Sequence, residues 1–251
     1  VPALEPVRAI LFDYGHTLVD FRRTEEALHH AYGQIRDRVE AVAYMQVPEL
    51  LDLVERVTGS VDGMIEESYA QGRLEELDHA TLLRDAFAGI GFDLPSDVID
   101  HIVTLDHSAY SRSIIAEPAT LATLQALKDA GYRMGLVSNV TLLPDLMRED
   151  LANLGFDAFL DVTVFSSEVG WRKPDPRIFR EALDRLSADA AETAFVGDRL
   201  LDDVRGAQAV GMRGVQTTQF RREDPRDDVG PDAILETIAE LPDVVRAWRG
   251  L

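Results

Sequence analysis

The chain has 251 residues, 46% apolar and 28% charged, a balance that suits one large α/β domain or a core with a smaller second unit. Its formal charge of −20 is spread along the length and disfavours nucleic acid and anionic membrane, since both need a cationic footprint. Cysteine is absent, which excludes disulfides and thiolate metal sites, and no apolar run is long enough to span a bilayer.

The first predicted element organises the rest. In VRAILFDYGHTLV, Val7 to Val19, the apolar run Ala9-Ile10-Leu11-Phe12 reads as a strand buried on both faces of a parallel sheet. It runs into Asp13, with Gly15, His16 and Thr17 just beyond. Open α/β sheets bind ligands at the carboxyl ends of their strands, so a carboxylate here is placed for chemistry. A turn cap would explain Asp13 equally well, and only the later segments decide. From Thr24 to Met45, Leu28, Tyr32, Ile35, Val39 and Val42 recur at helical spacing. Pro48 is expected to open a second helix that Gly59 ends. Helical pieces follow near Val61–Gln71, His79–Ala88 and Pro95–Tyr110. No strand is expected between about Phe21 and Arg112. Residues 21–112 therefore read as an inserted all-helical domain, and 1–20 with 113–251 as the core.

Alternation resumes at Glu117. Pro118 opens a helix through Leu121, Leu124 and Leu127 that Gly131 stops, and the strand Arg133–Val137 runs into Ser138-Asn139. A helix near Leu142–Leu154, a strand over Phe159–Phe165 and a helix over Pro176–Leu186 come next. The strand Thr193–Val196 then enters Gly197-Asp198, followed by a helix over Leu201–Val210 and a strand over Gly214–Thr218. Strands alternating with helices predict an α/β fold, a Rossmann-like, doubly wound parallel sheet. The charged, turn-rich stretch Phe220–Asp232 reads as a mobile surface loop. A weak strand near Asp232–Leu235 and short helices to Trp248 complete the pattern.

Polar residues stand at three later points of this pattern, and each alone has an ordinary explanation. Ser138-Asn139 is a common turn, Lys173 could be a solvated surface residue, and Asp202-Asp203 suit a helix N-terminus. Yet the chain has two lysines, Lys128 and Lys173, against 23 arginines. A compact ammonium kept between Arg172 and Pro174 points to a geometric requirement. Taken together, the order Asp13…Ser138…Lys173…Gly197-Asp198-x4-Asp203 resembles the haloacid dehalogenase (HAD) superfamily of hydrolases, most of which are phosphatases. The segments FDYGHTLVD, LVSN, SSEVGWRKPDPRIF and FVGDRLLDDVRGAQAVGM carry the resemblance over nearly the whole chain. The helical insert is similar to that superfamily's C1-type (subfamily I) cap.

The resemblance implies a role for each residue. Asp13 would be the nucleophile that forms an aspartyl phosphate, splitting one hard displacement into two easier ones. Ser138, Asn139 and Lys173 would hold the phosphoryl oxygens, with Lys173 offsetting the developing charge. Asp13, Asp198 and Asp203, with the carbonyl of Gly15, would ligate Mg²⁺, which takes one or two carboxylates plus phosphate oxygens and water. Asp202 would face solvent or cap its helix. The substrate would be a small phosphorylated metabolite, with Asp20–Thr24 among its specificity contacts and hinges near Val19 and Ser113. A cytoplasmic monomer or homodimer is the expected setting.

One departure matters. Phosphatases of the family carry a second Asp two residues after the nucleophile as general acid and base, and here that position is Gly15, followed by His16. General acid–base catalysis is worth about 10²–10⁴-fold in rate. His16 could supply the proton, since an unperturbed imidazole titrates near 6.5. The 2-haloacid dehalogenases also lack the second Asp, because halide leaves without a proton; the metal-type last motif argues against that reading. Phosphonoacetaldehyde hydrolases need a cap lysine, and 21–112 contains none. A catalytically impaired member that binds a phosphorylated ligand or a partner is the remaining alternative. The other histidines, His29, His30, His79, His101 and His107, show no zinc spacing.

Overall fold

A computed structural model describes residues 5–22 and 24–248. Its strands are β1 (Ala9–Phe12), β2 (Val19–Phe21), β3 (Ile114–Ala116), β4 (Arg133–Ser138), β5 (Val162–Phe165), β6 (Thr193–Gly197), β7 (Arg213–Thr217) and β8 (Ala233–Leu235). Six of them make one parallel sheet in the order β5-β4-β1-β6-β7-β8, while β2 pairs with β3. The short β2–β3 pair went unseen in the sequence, because three residues are too few to show a period of two.

Every residue of β1 is fully buried, as its unbroken apolar run requires of a central strand covered on both faces. The chain moves from β1 to β4 and outward to β5, then returns to the other side of β1 for β6, β7 and β8. The direction of winding therefore reverses between β1 and β6, and such a switch point opens a crevice at the strands' carboxyl ends. Phe12 lies level with Val196, and the Asp13 N–H donates to the Val196 carbonyl at 2.8 Å. Asp13 and Gly197-Asp198 thus leave the sheet side by side.

The chain divides into two compact units. The described residues of Arg22–Ile114 with Thr141–Met147 form a helical one, with α1 (Glu25–Glu40), α2 (Leu50–Ala70), α3 (His79–Gly89) and α4 (Ser96–Ser111). It has its own core, in which Tyr32, Ile35, Leu53, Phe87 and Ile102 are buried. Thr24 caps α1 by accepting from the Ala27 N–H at 3.2 Å, and Asp78 caps α3 by accepting from Thr81 N–H at 2.8 Å. Gly59 does not end a helix as expected: α2 runs 21 residues through it. An exposed helical glycine costs about 1 kcal/mol against alanine, less than the burial of Leu53, Val57 and Val61 along one face returns at about 1.5–3 kcal/mol each.

The described residues of Val1–Phe21, Ile115–Val140 and Arg148–Leu251 form the sheet-bearing unit. Its helices are α5 (Pro118–Asp129), α6 (Pro144–Asn153, straddling the division), α7 (Ser166–Val169), α8 (Pro176–Leu186), α9 (Gly206–Ala209) and α10 (Leu241–Trp248). On one face Leu11, Val137, Val164 and Phe195 pack against Ile178, Phe179 and Leu183 of α8, and the Phe179 and Phe195 rings meet edge-on at 5.2 Å. This packing fixes the heights of β1, β4 and β6, the three strands from which the polar residues emerge. Among the described residues no helix is long and apolar enough to cross a membrane.

Candidate active site

Three strand ends and one loop bring the polar residues together. Asp13, 8% exposed, accepts from the Lys173 ammonium through Oδ1 at 2.6 Å and from the Thr17 hydroxyl through Oδ2 at 3.3 Å. Thr17 reaches back because the loop closes on itself: Leu18 N–H donates to the Tyr14 carbonyl at 2.9 Å and His16 N–H to the Val19 carbonyl at 2.7 Å. Lys173 is itself splinted. The Asn139 side chain accepts from Lys173 N–H at 2.7 Å and donates to its carbonyl at 3.0 Å, tying the loop between α7 and α8 to the end of β4. That role for Asn139 was not anticipated from the sequence. The ammonium is completed by Asp203 Oδ1 at 2.7 Å and lies 5.1 Å from the centre of the Phe195 ring.

Asp203 faces inward because the chain after β6 starts as a widened π-turn, Leu200–Arg205, before α9. Its other oxygen accepts from Arg199 N–H at 2.9 Å. A Cβ at Gly197 would run into the Asp203 carboxyl, so only glycine fits the strand end that faces it. Asp202 does not face solvent as expected: its side chain is 15% exposed and meets the Arg199 side chain at 3.9 Å. Asp198 is 1% exposed and pairs with the guanidinium of Arg221. Ser138 is buried at the carboxyl end of β4, beside β1.

The outcome is a compact acidic cluster. One oxygen from each of Asp13, Asp198 and Asp203 lies within 4.8 Å of the others. Burial, then repulsion from Asp13 and Asp203, pushes the Asp198 carboxyl up to about 7. Burial raises Asp203 to about 6, with Lys173 opposing and Asp13 adding to the rise. Burial would lower the Lys173 ammonium, but Asp13 and Asp203 outweigh it and hold it charged well above its usual range. Hard oxygen donors, crowded and short of positive charge, fit a Mg²⁺ ion.

That crowding predicts a pH dependence. Asp198 and Asp203 keep their protons to higher pH in the folded chain than in the unfolded one. Their contribution to stability is full below the ordinary carboxylate range near 4 and is lost as pH rises through about 6 and 7. Metal-free protein is expected to melt lower at about pH 8 than at about pH 5, with Asp198→Asn flattening the slope. Thermal melts in chelator measure this, and a slope unchanged by Asp198→Asn would rule out the cluster as its source.

The remaining predicted residues lie on the loop after β1. Gly15 backs onto Phe21, whose ring edge would sit 2.9 Å from a Cβ there. His16 adopts a left-handed backbone, φ 57°, and its Nδ1 lies 3.1 Å from Asp20 Oδ1, with the ring edge-on to Phe21 at 5.6 Å between centres. Its ring thus meets Asp20 and Phe21, while Asp13, Lys173, Asp198 and Asp203 form the cluster. Two site residues were missed. Thr17 had a signal, its fixed offset of four from Asp13. Arg221 had none, because it reaches Asp198 from the stretch read as a mobile loop. That stretch is tied down: Glu223 accepts from Leu200 N–H at 2.6 Å and Val229 packs on Leu200 and Val204.

A doubly wound parallel sheet whose switch point gathers a carboxylate, a buried lysine and two further carboxylates is the frame of a hydrolytic enzyme. Residues 7–211 match the family of haloacid dehalogenase-like hydrolases, and the chain belongs to it. A glyceraldehyde 3-phosphate phosphatase of Methanopyrus kandleri is 32% identical over 244 residues, 96% of this chain and 97% of that protein. Of solved structures, a HAD phosphatase from Thermococcus onnurineus superposes with a TM-score of 0.61 at 25% identity, covering 95% of this chain and 98% of that one. A 2-haloacid dehalogenase from Pseudomonas syringae does so at 0.67 and 25%, covering 96% and 99%.

Proposed function

We propose that the protein is a Mg²⁺-dependent phosphatase of a small phosphorylated metabolite, with Asp13 as nucleophile. The observation that carries this reading is the cluster of Asp13, Asp198 and Asp203 around Lys173. A halide-releasing enzyme has no use for three buried carboxylates that need a cation to offset them, whereas phosphoryl transfer does. Bound Mg²⁺ would neutralise charge on the phosphoryl oxygens. Asp13 attacks phosphorus as the ester P–O bond breaks and the alcohol leaves with a proton; water then cleaves the acyl phosphate, releasing phosphate and restoring the Asp13 carboxylate. Lys173 steadies Asp13 before attack and the phosphoryl oxygens during it, and Ser138 supplies a hydroxyl beside it. Asp198 and Asp203, with the Gly15 carbonyl, complete the metal's protein ligands. The helical unit, 21–112 in the sequence reading against a core of 1–20 and 113–251, is assigned the role of a subfamily I cap, which chooses the substrate. The cytoplasm is the setting we assign to the enzyme.

Gly15 leaves the family's acid–base position without a carboxylate, and we assign its work to His16. Asp20 at Nδ1 fixes the imidazole, which makes Nε2 the nitrogen that can exchange a proton with the leaving group. Glyceraldehyde 3-phosphate is the first ester to try, since a full-length relative is named for it. In a screen of phosphate esters with and without Mg²⁺, at least one ester is expected to release phosphate only with metal. His16→Gln should slow it about 10²-fold or more. Halide release from 2-chloropropionate without metal would replace this reading with the dehalogenase one. Esters bound with Mg²⁺ but never turned over would make the chain a binding protein.

A further inference from the structure

Arg221 is the feature of the site that neither the motifs nor the proposed mechanism absorbs. We propose that its guanidinium stands in for the divalent cation in the metal-free protein, and that the metal must displace it from Asp198 to bind. The inference rests on the reading of Asp13, Asp198 and Asp203 as a metal site.

Charge comes first. When ionised, the three clustered carboxylates carry three negative charges against the one ammonium of Lys173, which pairs with Asp13 and Asp203, and this leaves two negative charges in a nearly dry pocket. Arg221 brings a second cation to this set, and it brings it to Asp198, the carboxylate that Lys173 does not touch in an ion pair. A divalent ion with Lys173 would balance the three carboxylates alone, so the guanidinium becomes surplus once metal is present. Desolvated like charges close together are costly, and the surplus group is driven out.

Delivery and release come next. The loop that carries Arg221 is fixed on both sides of it. Gln219 accepts from Ile238 N–H at 2.7 Å, and Glu223 accepts from Leu200 N–H at 2.6 Å. The Arg221 side chain is nonetheless 34% exposed, against 1% for Asp198. Its long stem can therefore swing the guanidinium into solvent by a rotamer change, with the loop held in place. Asp198 lacks that freedom, since it is buried directly after β6. An internal cation of this kind scales the apparent metal affinity down to the fraction of molecules it leaves open. A pair populated ten to one weakens the apparent affinity about tenfold.

The test is calorimetric titration of Mg²⁺ alone into metal-free wild type, Arg221→Gln, Arg221→Lys and Asp198→Asn, with no substrate present. Arg221→Gln is expected to bind Mg²⁺ about tenfold more tightly and to melt lower without metal, because Asp198 loses its counter-charge. Arg221→Lys keeps the charge and should stay within about threefold of wild type, which separates the cation from the loop and serves if the glutamine variant folds poorly. Unchanged or weaker binding in Arg221→Gln, with Asp198→Asn clearly weakened, overturns the inference and leaves the metal site standing. Wild type that takes up no Mg²⁺, or Asp198→Asn with unaltered affinity, overturns the metal reading and this inference with it.

Discussion

Asp13→Asn is expected to lower hydrolysis by at least about 10³-fold while leaving the fold intact. The substitution keeps the side chain's shape, so an acceptor still faces Lys173 and a polar atom still faces Thr17. What it removes is the anionic oxygen that would form the bond to phosphorus. It also removes one negative charge from a crowded set, so metal-free stability should hold or rise. The checks are initial rates with saturating Mg²⁺, a melting curve, and intact-mass detection of the aspartyl phosphate in wild type quenched during turnover. Full activity in the variant, or an adduct elsewhere, would remove the covalent mechanism on Asp13.

Lys173→Met should carry the largest penalty in stability. The ammonium is 2% exposed and bonded to two carboxylates, so its loss leaves Asp13 and Asp203 buried without their shared counter-ion. Breaking a buried pair from one side costs about 3–5 kcal/mol. Methionine fills similar volume beside the Phe195 ring, so the loss reports charge rather than a cavity. The deficit, read by denaturant unfolding without metal, should shrink as pH falls through about 6 and the carboxyls take up protons. A loss below about 1 kcal/mol at neutral pH would mean that water reaches the pair and that the site is not dry.

Some corrections to the sequence reading share a physical origin. Gly59 looked like a stop because glycine is a weak helix former, but tertiary burial along α2 outweighs a local preference of that size. β2 and β3 were invisible because three residues carry no periodicity. Phe220–Asp232 looked mobile because it is charged and turn-rich; its anchors, Leu200 and Val204, belong to a distant stretch of chain. Arg221 was lost with that loop.

Residue order alone determined the alternation of strands and helices, the apolar β1 that had to be central, and the small set of polar positions at strand ends. These are local properties, written in spacing and in residue type. Only the tertiary structure decided that Asp13, Lys173, Asp198 and Asp203 meet, that Asn139 splints Lys173, that Phe21 stands where a side chain at position 15 would go, and that Arg221 pairs with Asp198. Each of these is a contact between segments far apart in the chain or across a turn. Such contacts follow from how the sheet winds and where its direction reverses, which no single window of sequence encodes.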